Sequence, residues 1–183
     1  MKKSLFILFF TAVSFATNAQ IQKAALQASG LTCSLCNKSI STSLKNIIFV
    51  EAVESDINNN TFNITFKPGL QPDFDLLKKK VEDAGFFVAN LWVYANFNQV
   101  KVANDQHVNV DGLNIHFMNV NEQVLNGEKK LQIIDKNFIP AKKYAKYASS
   151  TTMECFKTGI MNTCCHQKTA SIAGKQRVYH VTI

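Results

Sequence analysis

Two cysteines three residues apart stand where a strand pattern gives way to a helical one. The stretch is Gly30-Leu31-Thr32-Cys33-Ser34-Leu35-Cys36. Residues 23–29 read as a strand, weakly alternating and alanine-rich, after which Cys36, Ile40, Ser43/Leu44 and Ile47 recur at helical spacing. Cys33 then falls in a loop and Cys36 in the first turn of a helix over 34–46. Both thiols can point at one spot beside an electropositive helix N-terminus, which favours thiolate over thiol. Such a pair can share a soft metal ion or close a small disulfide.

The residues that follow build a scaffold for this turn. Val50, Ala52/Val53 and Ile57 lead to Asn58-Asn59-Asn60, a turn signal. Phe62, Ile64 and Phe66 alternate with Thr61, Asn63, Thr65 and Lys67, the cleanest half-buried strand pattern in the chain. Pro68-Gly69 and Pro72 stop it. Pro72 suits the first turn of a second helix, whose positive end suits Asp73 and Asp75. Phe74, Leu77, Val81 and Ala84 repeat at three and four residues, and Gly85 fits the helix end. Lys78, Lys79 and Lys80 read as a solvated helix face. Residues 87–94 are apolar and aromatic, fit for a strand. The order is strand, helix, strand, strand, helix, strand. That predicts an α+β fold, a ferredoxin-like βαββαβ sandwich with two helices on one face of a four-stranded antiparallel sheet. Its first strand-to-helix loop lies exposed at one end.

The flanks set the organisation. Met1-Lys2-Lys3, an apolar run from Leu5 to Ala16 and the small residues before Gln20 form a secretory signal-peptide pattern, with cleavage expected after Ala19. The run is shorter than the roughly 20 residues a membrane span needs. The expected units are a signal peptide over 1–19, the ferredoxin-like domain over 20–95 and a second, mainly β domain over 96–183. In the last, 96–106 reads as a polar junction, and Asp111-Gly112 as a hairpin turn. Asn126-Gly127 is another turn signal, ahead of a strand through Leu131, Ile133 and Ile134. Pro140 opens a short helix, 155–158 suggests a strand, and 176–183 alternates as a final one. This is the strand order of an OB-like barrel, an order that several small β folds share.

Composition narrows the partners. Loss of Lys2 and Lys3, with no acidic residue in 1–19, takes the formal charge from +7 to +5. Most lysines stand singly or on a presumed helix face and form no arginine-rich or aromatic-interleaved stripe, so nucleic acid is not an expected partner. No second apolar run is long enough to span a membrane. No nucleophile–base–orienter set, phosphate loop or paired carboxylates is recognisable, so no enzyme is expected. Five cysteines in an exported, periplasmic or secreted chain leave one over or make it a ligand. Cys155, Cys164, Cys165 and His166 could form a second metal site, but a disulfide from Cys155 to Cys164 or Cys165 is the plainer reading. His107 is isolated, and His116 and His180 alternate with apolar neighbours as ordinary strand residues do.

The cysteine loop resembles the Gly-Met-Thr-Cys-x-x-Cys loop of heavy-metal-associated domains. These occur in copper chaperones, copper-transporting ATPases and periplasmic mercury-binding proteins. Val50 and Val53 stand where that family begins its second strand. Phe66-Lys67-Pro68 is similar to its aromatic-x-Pro, and Val81-Glu82-Asp83-Ala84-Gly85-Phe86 to the end of its second helix. The resemblance spans about residues 24–94. It departs at Leu31, where the family has Met, and at Phe49-Val50, where Gly-Val is common. It implies binding of copper(I) through Cys33 and Cys36, with mercury(II) or silver(I) as similar occupants, in a chain that the signal-peptide pattern marks for export. Zinc is less suited to two ligands. An exposed site implies a donor or acceptor protein that presents thiolates of its own. Two other readings stand beside it: an exported scaffold with a structural Cys33–Cys36 disulfide, and a thiol-disulfide oxidoreductase, which Ser34-Leu35 between the thiols fits poorly.

Overall fold

The alternating stretch around Phe62 lies near one edge of an eight-stranded sheet. The computed structural model describes residues 20–31, 33–161 and 176–183. The signal-peptide segment 1–19 and Cys164, Cys165 and His166 lie outside the described residues. The elements are β1 (Gln20–Ser29), α1 (Ser34–Lys45), β2 (Val50–Asp56), β3 (Thr61–Phe66), α2 (Phe74–Asp83) and β4 (Phe87–Val102). They are followed by β5 (Gln106–Val110), β6 (Leu113–Phe117), β7 (Gln123–Ile133), α3 (Ala141–Ser150), α4 (Glu154–Thr158) and β8 (Val178–Thr182). The strand order is β2-β3-β1-β4-β7-β8-β6-β5.

The first six elements have the expected order, and their four strands pair antiparallel. α1 buries Ile40 and Leu44, and α2 buries Phe74, Leu77 and Val81. α2 starts two residues after Pro72, the position expected in its first turn. Asp73 caps it, its carboxylate accepting from the Leu76 N–H at 3.0 Å, and Pro72 lies just outside. Of the lysine run, Lys78 is tucked in rather than solvated. It pairs with Asp75 at 3.2 Å and sits 4.8 Å from the Phe138 ring centre.

The second segment departs from expectation in three ways. β4 does not end at Tyr94. It crosses the boundary expected after residue 95 and pairs with β7 as far as Val102. A bulge between Phe97 and Val100 breaks its alternation, with Gln99 at φ +52°. Asn126-Gly127 is not a turn between strands but lies within β7, where Gly127, at φ +71°, stands opposite Phe97 beside that bulge. Residues 154–158 are the short helix α4, closed by Gly159 at φ +68°. The segment therefore extends the first sheet. Its strands pair in a linear order with β6 and β8 parallel, in place of an OB-like barrel.

Side chains alternate between the two faces of a strand. On the helix-covered face one cross-strand row runs Phe62, Leu26, Leu91, Ile133, Val181, Phe117, from β3 to β6. All six are fully buried. Each such side chain contributes about 1.5–3 kcal/mol, so the row makes one core of both halves. α2 reaches the second half directly: the Phe74 and Tyr179 rings are 4.9 Å apart, and Arg177 Nε pairs with Asp75 at 2.7 Å. On the opposite face, α3 and α4 cover only the β7-β8-β6-β5 end, around Met118, Ile134, Ile139 and Phe156.

Candidate metal centre

β1 delivers the chain to Gly30, whose φ of +88° suits glycine. A Cβ there would lie 3.9 Å from the Phe86 ring, which follows α2. Leu31 and Phe86 both pack on the core, so the loop is anchored from both sides. Leu31 thus serves as an apolar anchor where the family has Met. Cys33 has extended backbone, φ −152° and ψ 160°, and is the N-cap of α1. Its Sγ accepts from the Cys36 N–H at 3.4 Å, and its carbonyl from the Asn37 N–H at 3.4 Å. Sulfur thus takes the capping place usually held by a side-chain oxygen. No acidic residue stands in the first turn of α1 to compete for that positive end.

Cys33 is exposed and Cys36 half-buried, one helical turn apart. The intervening Leu35 is 75% exposed. Phe87, paired with Ser29 at the same end of the sheet, is 69% exposed. The sulfur pair therefore sits on an uncovered tip with apolar side chains around it. Two thiolates suit a soft ion of low coordination number, and the open side admits a further ligand from outside. Among the described residues no carboxylate or imidazole joins them in a metal-ligand group.

Residues 25–87 match the heavy-metal-associated domain. The match covers about a third of the chain. Similar solved structures include the yeast copper transporter domain Ccc2a, 28% identical, with 36% of this chain and 88% of that one covered at a TM-score of 0.32. A copper-binding domain from the P-type ATPase HMA7 is 31% identical over 36% and 86% of the two chains, with a TM-score of 0.33. Oxidized MerP from Ralstonia metallidurans CH34 is 23% identical over 38% and 94%, with a TM-score of 0.35. Comparison with curated proteins gave no match. No helix of the described residues is long and apolar enough to cross a membrane.

Beyond the heavy-metal-associated stretch lies a second gathering of ligand-type side chains. His107, His116 and His180 occupy one register row across β5, β6 and β8. They are neither isolated nor ordinary strand residues, because α4 sets Cys155 against all three. Cys155 Sγ lies 3.9 Å from His107 Nε2, 3.6 Å from His116 Nδ1 and 3.5 Å from His180 Nε2. His116, His180 and Cys155 are fully buried, and His107 is 8% exposed. Burial, then the neighbouring His107 and His180, pulls the His116 pKa down to about 3. Burial, then His180, lowers that of His107. Single-chain spacing hid this group because register aligns it. One signal was present: His116 lies between Ile115 and Phe117, and His180 between Tyr179 and Val181. Strand histidines with apolar neighbours on the opposite face fit a strand covered on both faces.

Proposed function

We propose that this protein holds copper(I) between Cys33 and Cys36 and passes it to a partner that presents thiolates. The observation that carries the reading is the exposed capping sulfur of Cys33 with Cys36 one turn on, inside a stretch that matches the heavy-metal-associated domain. Soft thiolates select copper(I), with mercury(II) and silver(I) as similar cargo, over zinc, which prefers four ligands. An uncovered two-sulfur site lets an incoming thiolate bind the ion before the first pair releases it. The signal-like segment 1–19 supports export to a periplasm or the exterior. The second half, continuous with the first through β4, would then act as a carrier that presents the tip or limits access to it. This is a binding and transfer role, not an enzymatic one.

Anaerobic titration of the reduced chain against a copper(I) chelator tests the reading. One chelator-resistant ion is expected at the tip, lost in Cys33→Ser. Thiol counting on freshly exported protein addresses the scaffold reading, since a closed Cys33–Cys36 disulfide in the working protein would overturn copper capture. Turnover in an insulin-reduction assay would favour the oxidoreductase instead.

A further inference from the structure

We propose that His107, His116, His180 and Cys155 bind one four-coordinate transition-metal ion of the zinc(II) class in the core of the second half. The site is independent of the Cys33–Cys36 tip.

Distance is the first argument. Tetrahedral zinc with Zn–S near 2.3 Å and Zn–N near 2.0–2.1 Å puts sulfur about 3.6 Å from each nitrogen. The three sulfur–nitrogen distances here are 3.5, 3.6 and 3.9 Å. The ligand atoms of His107, His116 and Cys155 all lie within 4.8 Å of one another, and His180 stands outside that set, against the sulfur.

Proton supply is the second argument. Asp135 Oδ1 is 2.7 Å from His180 Nδ1, and its Oδ2 accepts from the His180 backbone N–H at 3.1 Å. A carboxylate there puts the ring proton on Nδ1 and leaves the Nε2 lone pair facing Cys155. On His116, Nε2 lies 3.4 Å from Asp105 Oδ1, too poorly aligned for a hydrogen bond but close enough to favour the proton on that side. The Nδ1 lone pair then faces the same sulfur. A thiol carries one proton and can satisfy one of these nitrogens. A cation at the centre satisfies all of them and draws the thiol to thiolate.

The surroundings are those of a closed, structural site. A carboxylate outside the ligands, Asp135, orients His180, as is usual around bound metal. The Phe156 ring stands 5.0 Å from His180, nearly perpendicular to it, and walls off solvent. His107, on the edge strand β5, is the member nearest the surface and marks a route for the ion. The four donors come from β5, β6, β8 and α4, so a bound ion would pin the short helix to the sheet.

The test uses the full chain with Cys33→Ser and Cys36→Ser, so that its failure and failure of the copper(I) reading are separate results. The reduced protein is refolded with one equivalent of cobalt(II). The expected result is one ion per chain, a thiolate-to-cobalt charge-transfer band in the near ultraviolet and intense four-coordinate visible bands, all removed by excess zinc(II). Cys155→Ala should abolish the charge-transfer band. His107→Gln, at the rim where folding is least at risk, should weaken binding at least about tenfold. Asp135→Asn should weaken it about 10–100-fold while keeping the band. Failure to take up cobalt would overturn the proposal, as would unchanged spectrum and affinity in both Cys155→Ala and His107→Gln.

Discussion

The thiol tip follows β1, in the first half of the sheet, and the imidazole–thiol group lies across β8, β6 and β5 at the far edge of the other half. The tip offers two sulfurs on an exposed helix start, with Leu35 and Phe87 bare beside it. The second group sets three nitrogens and one sulfur beneath α4, sealed by Phe156. Openness and a low donor number suit an ion that must leave. Enclosure and four donors suit an ion that stays. One core supports both.

The shared core is where the comparison is easiest to break. Phe62→Ala, in the half that carries the tip, should cost about 3–5 kcal/mol. Denaturant melts followed by circular dichroism and by Trp92 fluorescence should still show one common transition. Two transitions would separate the halves at residue 95.

A smaller effect should come from acid. In the unfolded chain His116 takes up a proton near its ordinary pKa of about 6.5, whereas in the metal-free fold it resists until about pH 3. Between those values the unfolded state binds the extra proton, so stability falls as pH drops. From this group alone the loss is about 2 kcal/mol on going from pH 7 to pH 5. Urea melts at the two pH values should therefore show a smaller loss in His116→Gln than in wild type. Equal losses would contradict the burial argument.

Below that in size, Asp73→Ala removes the cap of α2, with an expected cost of about 1 kcal/mol, read as a lower melting midpoint. Smallest of all, Leu35→Ser at the tip should move stability by no more than about 0.5 kcal/mol. Its copper(I) affinity should also stay unchanged, since the exposed Leu35 side chain supplies no ligand atom. A large loss of stability would mean that the tip is packed rather than open.

The first half was legible because its signals are local. Phe62, Ile64 and Phe66 mark a strand by alternation, and Phe74, Leu77 and Val81 mark a helix by spacing. Gly30 to Cys36 marks the junction between β1 and α1. The second half hides its logic in register. The bulge at Asn98-Gln99 broke the alternation of β4 and made a strand look like a linker. Gly127 answers that bulge from β7 and so carried a false turn signal. His107, His116, Cys155 and His180 are distant in sequence and meet only after β5, β6 and β8 align and α4 closes over them. Residue spacing cannot report a contact that pairing creates.

The central claim, capture of copper(I) by the sulfur pair, is tested most directly by X-ray absorption at the copper edge. The sample is the reduced full chain carrying one equivalent of copper(I). The account predicts a first shell of sulfur alone, two atoms, lost when Cys33 is replaced by serine. A shell containing imidazole nitrogen, unchanged by that replacement, would put the ion beneath α4 and contradict it.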